Sequence, residues 1–519
     1  MPNAKNLPFS FAMNINTQSE DGDVDLPAQQ DACFSIAMMG DFSNSTDKIN
    51  ISDRHFIAID RFNFDEIMQS FAPNLSLAMD NSDPSSSSDE NNINLSLNSL
   101  KDFQPGNLYK NVPVFNQLRD LRKRLNNPVT FKQAILEMDL PETVSTDKEV
   151  PREVQQNLTQ PESESPSSIE SSTSLLDSIM DETADRLEQS ADQTPSTDSK
   201  TKSLVDVFIR QAVGSRKMLS RDARQDELVA SVDDIIAQQM RNLLHHPKFQ
   251  ALESLWRSVY FVVKRIRSGK AVKLYLFDVN EDELIADLAA EEVTHSQLYQ
   301  QFCDNTANDI NWNLIIGDYR FGEDIDDMLR LSQIGLIAQK AGAHFIAAAN
   351  ENLIGCPSFA TTPKARDWQD DDQSTQQAWT LLRQSPVAQS ISLALPRFLL
   401  RMPYGNKTIP VTAFAFEEMP DHPDHSNYLW GNPAFLKAEQ FARTFLTSGS
   451  DMNYAKAMTV EDLPIHYFEQ GGQTLVKPCA EIPLTDSGAS KMIAQGLIPL
   501  WSVKNADRIH SGDFHSISE

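Results

Sequence analysis

Residues 311–350, "NWNLIIGDYRFGEDIDDMLRLSQIGLIAQKAGAHFIAAAN", give the clearest indication of the fold class. Its first apolar run, Asn311–Tyr319, is typical of a buried strand. Asp324–Gly342 predicts an amphipathic helix, because apolar residues recur every three or four positions and a glycine closes the pattern. Ala343–Asn350 predicts a second strand. This alternation indicates a βαβ unit, and therefore a largely parallel sheet with helices on its faces.

The same alternation surrounds this stretch in a block that we place at residues 201–519. Ala271–Asn280 predicts another strand, and a helix follows it. From Ile391 onward short strands and prolines dominate, and Val411–Met419 is one such predicted strand. We therefore expect an α/β domain whose mixed sheet is flanked by helices.

A smaller α/β domain is predicted at residues 1–140. Ala32–Ser43 indicates a buried strand that ends in a Gly-Asp turn, and His55–Pro73 indicates a strand followed by a helix. Asn74–Asp80 and Asn92–Leu100 alternate apolar and polar residues, as half-buried strands do. A turn and a helix are expected after them.

Residues 141–200 differ in composition from both blocks. They carry 14 acidic and 4 basic residues and are rich in Ser, Thr, Gln and Pro. Such a segment cannot bury enough apolar surface to offset the entropy of ordering, so we expect a disordered acidic linker. A short amphipathic helix interrupts it at 174–190, and this helix is either a partner-binding element or an incidental apolar cluster. Its apolar face would be formed by Leu175, Leu176, Ile179 and Met180.

Two predicted helices meet at His245, His246 and Pro247. Proline ends a preceding helix or occupies the first turn of the next one, and the apolar spacing resumes through Trp256. Neighbouring helical positions point about 100° apart, so these histidines are poorly placed to chelate one ion. No HExxH motif accompanies them. We expect a structural corner here rather than a metal site or a catalytic base.

The net charge and the spacing of the cysteines argue against several classes of protein. The formal net charge of −28 repels phosphate backbones, so nucleic acid is not an expected partner. A short basic stretch, Leu118–Leu125, is interpreted as the solvated face of an amphipathic helix. The cysteines form no CxxC pair, which fits a reducing cytoplasm and argues against zinc and disulfides. No signal peptide and no membrane insertion are expected, because no uncharged apolar run reaches the required length.

Motifs of enzyme chemistry are missing from the sequence. It contains no GxxxxGK[ST], GxGxxG or GxSxG pattern. Phe468–Gln473 is better explained as a hairpin turn than as a phosphate loop. Asp278 and Asp318 follow presumed parallel strands, where active sites of α/β sheets lie, yet no catalytic constellation accompanies them.

One polar loop contains residue types that bind metals. A proline-broken turn is the favoured interpretation of this loop, with a divalent-cation site or a metal-dependent hydrolase as the alternative. The four side chains are Asp421, His422, Asp424 and His425. We predict no catalytic residue, no metal and no cofactor.

Several ordered motifs in the first and third blocks resemble those of a known protein family. The third block resembles the large subunit of the type VI secretion contractile sheath (ImpC/VipB/TssC-like) over about residues 203–510. The motifs that carry it include "NLLHHPKFQALESLWRSVYFVV", "LPRFLLRMPYGNKT", "HSNYLWGN" and "QGLIPLWSVKNAD". The first block resembles the small subunit (ImpB/VipA/TssB-like) over about residues 30–127. The motifs there include "FSIAMMGDFS" and "DRHFIAIDRFNFDEIMQSFAPNLSL".

The resemblance implies a bacterial structural protein of protein secretion that fuses both sheath subunits and acts in the cytoplasm. Implied partners are sheath subunits or further copies of the chain, and also the inner tube protein, the baseplate and an AAA+ disassembly ATPase that would contact the 174–190 helix. Besides the helix corner, the structural side chains that we single out are Trp256, Asp318, Tyr404, Gly405, Trp430 and Gly431.

Both subunit families continue beyond the parts that match here, into segments that join neighbouring protomers. We therefore expect the chain to lack those inter-protomer segments. Two hypotheses follow. The chain contributes to a contractile sheath, or it is a non-polymerising accessory that caps or regulates a sheath built from separate full-length subunits.

Overall fold

The computed structural model of the chain describes residues 33–45, 48–78, 92–137, 221–266, 269–304, 310–369, 373–420, 423–449 and 459–519. The predicted acidic linker and its 174–190 helix lie outside these ranges. Two compact units are present. Of the described residues, those up to Val112 and those from Ile236 to Glu519 form the first unit, and those from Pro113 to Ile235 form the second.

A nine-stranded sheet forms the centre of the first unit. Its strands are β1 (Phe34–Gly40), β2 (Ile57–Ile59), β5 (Val272–Asp278), β6 (Trp312–Phe321), β7 (His344–Ala349), β8 (Ile391–Leu395), β11 (Thr459–Val460), β14 (Leu497–Ser502) and β15 (Ile509–Ser511). Their order across the sheet is β11-β15-β14-β8-β7-β6-β1-β5-β2, and the strands from β14 to β5 are parallel. The predicted mixed α/β class is confirmed.

Helices cover both faces of this sheet. Successive side chains of a strand point to opposite faces, and because both sets are apolar here, both faces have to be buried. The helices of the first unit are α1 (Phe64–Phe71), α2 (Pro105–Asn111), α6 (Pro247–Arg265), α7 (Glu281–Leu288), α8 (Gln297–Tyr299), α9 (Ile325–Lys340), α10 (Gln373–Gln384), α11 (Pro433–Ser448) and α12 (Asp486–Ala494). In β1, Ala37 and Met39 join the core cluster beneath α7, α9, α10 and α12. Phe34 and Gly40 face α11 and α6 instead.

Three small antiparallel pairs complete the first unit. They are β3 (Asn74–Ala78) with β4 (Asn92–Ser96), β9 (Phe398–Leu399) with β10 (Trp430–Gly431), and β12 (His466–Gln470) with β13 (Gln473–Lys477). Gly471 and Gly472 have positive φ between β12 and β13, which confirms the predicted hairpin turn.

The second unit is helical in its described part. It contains α3 (Pro113–Asn126), α4 (Phe131–Glu137) and the first part of α5 (Arg221–Leu244). Leu118, Leu121 and Leu125 are buried, which confirms that the basic stretch belongs to an amphipathic helix. Arg122 of that stretch forms an ion pair with Asp233 of α5.

Some of the secondary-structure predictions were wrong in the last third of the chain. Val411–Met419 forms no strand. Its backbone bends at residues 412–414 and again from residue 418, where the buried Glu418 side chain pairs with Arg401. Helices α11 and α12 stand where only short strands and prolines were expected. Helix α11 was not predicted from the spacing of its apolar residues. Residues 433–442 are all buried, so this part of the helix has no exposed polar face to alternate with an apolar one. None of the described helices is long and apolar enough to cross a membrane.

Candidate functional site

Strand β1, which comes from the first block of the sequence, lies between two strands of the third block. Met38 is in register with Leu276 of β5 on one side and with Ile316 of β6 on the other. All seven residues of β1 are buried. We call the contact between residues 33–112 and residues 236–519 of the first unit the junction. It is the candidate functional site, because sheet pairing here joins the two subunit-like blocks.

Polar contacts fix the chain where β1 ends. Asp278, the last residue of β5, accepts hydrogen bonds from the Phe42 amide at 2.7 Å and from the Ser43 hydroxyl at 2.6 Å. Lys48 Nζ lies 3.2 Å from the same carboxylate and 2.6 Å from Asp41. Burial raises the pKa of Asp41, although Lys48 opposes the shift. The polar end of β5 therefore holds the turn after β1 in place.

A second ion pair crosses the junction beside the first. Arg54 Nη2 lies 2.5 Å from Glu283 Oε1, and Arg54 Nη1 donates to the Asp278 carbonyl at 2.6 Å. Burial raises the pKa of Glu283, but hydrogen bonds from Arg54 and the Asn280 amide outweigh it, so the pKa is lowered overall. Both partners are well enclosed, so this pair is less screened than a surface ion pair.

Trp256 provides the apolar anchor of the junction. Its indole Nε1 donates to the Phe42 carbonyl at 3.1 Å, and the side chain is fully buried on α6. Three phenyl rings of the first block surround it, with centroid distances of 5.5 Å to Phe42, 5.8 Å to Phe64 and 5.7 Å to Phe71. Predominantly edge-on packing of this kind is favourable beyond simple area burial.

A second aromatic cluster lies on the other face of the sheet. Phe56 stacks on Phe277 at 4.6 Å and also contacts Phe302 and Trp312. Gln301 donates to the Ile51 and Ser52 carbonyls, which adds a polar contact beside the rings. The junction is therefore built on both faces of the sheet.

The two histidines of the helix corner have separate roles. His246 is the N-cap of α6, where its Nδ1 accepts from the Lys248 amide at 3.2 Å, and Pro247 occupies the first turn. His245 Nε2 lies 3.4 Å from Glu418 Oε1. The two side chains therefore have different partners, and capping of α6 by His246 gives the structural corner a physical explanation.

A buried charge network lies next to this corner. Arg401 lies 3.0 Å from Glu253 and 2.8 Å from Glu418, and both carboxylates are fully enclosed. Burial raises the pKa of Glu418, but Arg401 and hydrogen bonds from His245 and the Tyr404 amide lower it to about 2. The carboxylates in turn raise the pKa of Arg401 against the effect of burial. The Arg401 guanidinium is paired with two buried carboxylates, so this network stabilises a fixed geometry of the surrounding segments.

The remaining predicted structural residues lie around this network or in the sheet. Tyr404 is buried and donates its amide to Glu418 at 2.7 Å, while a Cβ on Gly405 would lie 2.1 Å from Glu417 Oε2. Trp430 accepts a hydrogen bond from Ser254 of α6 at 2.7 Å through its carbonyl, and Gly431 packs against Leu400. These are packing positions, and their importance for assembly stays a prediction.

Asp318 does not end its strand as expected, because β6 continues to Phe321. Burial raises the pKa of Asp318 to about 7, and a hydrogen bond from Asn432 opposes that shift. Asp278 does end its strand, and it holds the junction. The two carboxylates therefore have separate structural surroundings.

The polar loop with metal-ligand types is only partly described. Asp424 caps a short helical turn by accepting from the Ser426 amide, and His425 Nε2 lies 2.9 Å from Glu481. Asp421 and His422 lie outside the described residues, as do the apolar side chains of the 174–190 helix. Within the described ranges, no group of three or more His, Cys, Asp or Glu side chains could hold a metal ion.

The sequence patterns did not identify Lys48, Arg54 and Glu283 as residues of the junction. Lys48 lies outside the quoted motifs, and Arg54 lies inside one that gives no sign of its partner. The partners Asp278 and Glu283 follow about 230 residues later in the sequence. The ordered apolar runs around them were the only available signal.

Comparison with known proteins agrees with this arrangement. The family described as VipB, EvpB/VC_A0108, tail sheath N-terminal domain, matches residues 226–517. The family described as type VI secretion system, VipA, VC_A0107 or Hcp2, matches residues 12–163. The type VI secretion system sheath protein TssC1 of Pseudomonas aeruginosa is 28% identical over 335 residues, which cover 62% of this chain and 67% of that protein. The chain therefore belongs to the VipB tail sheath family and is a structural sheath component of a type VI secretion system, with VipA-type and VipB-type segments fused in one polypeptide.

Proposed function

We propose that the chain acts as a single-chain sheath protomer that assembles with other sheath subunits, in the cytoplasm and without catalysing a reaction. The observation that carries this proposal is β1, which completes the sheet of the VipB-type segment between β5 and β6. A VipA-type segment bound in this way supplies the partner that a separate small subunit would otherwise supply.

Fusion gives this arrangement a physical advantage. A tether turns association of the two segments into an intramolecular step with a high effective concentration, and it fixes their ratio at one to one. Residues 141–200 would serve as that tether between a small-subunit region at 1–140 and a large-subunit region at 201–519. The matched ion pairs and aromatic clusters of the junction support a structural role over catalysis.

Further partners belong to the same proposal. A sheath protomer would contact the inner tube protein and the baseplate, and an AAA+ ATPase would bind the 174–190 helix through Leu175, Leu176, Ile179 and Met180. Replacing Leu176 and Ile179 by Ser should abolish capture of the ATPase while leaving the folded units intact. Unchanged capture would remove this helix from the proposal.

Negative-stain electron microscopy tests the assembly. The purified protein is imaged alone and together with separately expressed small and large sheath subunits. Incorporation along tubules, or tubules from the chain alone, is expected. Trp256→Ala should lower tubule number because it weakens the junction, whereas Phe62→Ala, at a side chain that is 78% exposed, is the matched aromatic control.

Two other outcomes would overturn the protomer role. Density confined to the ends of shortened partner tubules would make the chain a cap or length regulator. Absence from every tubule, with the fold intact by circular dichroism, would exclude assembly with these subunits.

A further inference from the structure

The segment Ile509–Glu519 covers one part of the nine-stranded sheet, and we call it the cover segment. After β15 it crosses β14 and β8 in irregular conformation. Its backbone is held by hydrogen bonds from Gly512 N to the Pro499 carbonyl at 2.8 Å and from Ile517 N to the Ile391 carbonyl at 2.9 Å. Phe514 and Ile517 are buried beneath it.

A buried lysine that forms no ion pair among the described residues lies under this segment. Lys437 of α11 is 2% exposed, and its Nζ donates to Ser511 Oγ at 3.0 Å. The rings of Phe441 and Phe514 lie 5.7 and 6.0 Å from the ammonium nitrogen. Among the described residues, no carboxylate is within ion-pair distance of Lys437. An ammonium group buried with one hydrogen bond and no acid partner is strongly disfavoured.

The other charged groups near Lys437 do not neutralise it. Glu439 on the same helix pairs with Arg443 at 3.5 Å. Asp513 belongs to the cover segment and is exposed, so it acts on Lys437 only at longer range. On the cover segment's other side Glu519 faces Arg383 at 4.0 Å.

Two histidines near the cover segment are also held neutral. His344 of β7 is 3% exposed, contacts Ser392 Oγ at 2.8 Å and packs against the Phe514 ring at 4.9 Å. Burial lowers the pKa of His344 to about 3 and also lowers that of His515. Both histidines are therefore neutral above pH 7, so their protonation does not contribute to a pH dependence in that range.

We propose that Ile509–Glu519 is a proton-responsive cover, docked while Lys437 is neutral and displaced more often when Lys437 binds a proton. Displacement gives the ammonium access to water and removes the Ser511 and Phe514 side chains that enclose it. It also unpairs β15 from β14, so the proton controls an edge of the central sheet. This device is independent of how the chain assembles.

The direction of the pH dependence follows from the two states. Burial lowers the pKa of Lys437 from 10.5 to about 7 in the docked state. Between these values the open state holds a proton that the docked state lacks, so opening takes up one proton. The opening equilibrium should therefore rise about tenfold for each pH unit of acidification, and level off below about pH 7.

Hydrogen exchange of the backbone amides measures this opening directly. Exchange of Gly512 and Ile517 is followed in the full chain at pH 7, 8 and 9, and each rate is divided by its intrinsic value at that pH. The corrected opening should be about 50-fold greater at pH 7 than at pH 9, because the docked lysine is already half protonated at pH 7. In Lys437→Met the corrected opening should be low and independent of pH.

Two further variants serve as controls for Lys437→Met. Lys491→Met removes an exposed lysine that lies near the Trp368 ring, and it should retain the wild-type slope. Ser511→Ala keeps the lysine and should also retain a slope. A flat profile in the wild type, or the wild-type slope in Lys437→Met, would overturn the proposal.

Discussion

The indole of Trp256 combines two contacts with the VipA-type segment, a hydrogen bond to the Phe42 carbonyl and packing against three phenyl rings. Trp256→Ala should lower the free energy of unfolding by about 3–5 kcal/mol, because it empties a fully buried site. Urea denaturation followed by far-UV circular dichroism measures the change. Phe62→Ala, at an exposed ring of the same region, should stay within about 0.5 kcal/mol of the wild type. Equal effects of both variants would remove Trp256 as the anchor.

Glu418 gives a second prediction at the residue scale, in which pH is the variable. Its pKa is lowered to about 2 in the folded chain, from 4.5. The stabilisation by the carboxylate is therefore complete above about pH 4.5 and is lost as the pH falls through 2. Glu418→Gln should unfold more easily at pH 7 by about 3–5 kcal/mol, since it leaves Arg401 with one carboxylate fewer.

The difference between Glu418→Gln and the wild type should shrink as the pH falls from 4.5 toward 2. Unfolding free energies from denaturant titrations at pH 7, 4.5 and 3 measure it. Glu417→Gln alters the exposed neighbouring carboxylate and should track the wild type at every pH. A gap between Glu418→Gln and the wild type that stays constant down to pH 3 would contradict the role of the buried network.

Among the elements, α9 packs tightly against β8 at Gly335. A Cβ built there would lie 2.4 Å from Ile391 Cδ1, so the helix packs on the sheet through a position without a side chain. Gly335→Val should lower the free energy of unfolding by about 1–3 kcal/mol through overpacking. Gly269 has no atom within 4 Å of such a Cβ, and Gly269→Val is the matched control with a small effect in thermal denaturation. A wild-type Tm in Gly335→Val would mean that α9 can shift.

Local patterns predicted most elements of the first unit, including β1, β5, β6, α9, β7 and the helix corner, because each has a clear apolar period. They could not predict the pairing of β1 with β5 and β6, since its partners follow more than 230 residues later. The pairing of Arg401 with Glu253 and Glu418 could not be predicted either, because it joins α6 to a segment that was expected to be a strand. Periodicity also fails for α11, whose Lys437 and Glu439 are buried alongside its apolar residues.

In the whole molecule, the VipA-type and VipB-type segments form one folded unit around β1. Size-exclusion chromatography tests this most directly, after a protease site inserted between residues 160 and 161 has been cleaved under native conditions. We expect the two fragments to elute together in a one-to-one ratio and to separate only in denaturant, because the junction buries a central strand. Separation of the fragments without denaturant would contradict it, since β1 would then depend on the tether alone.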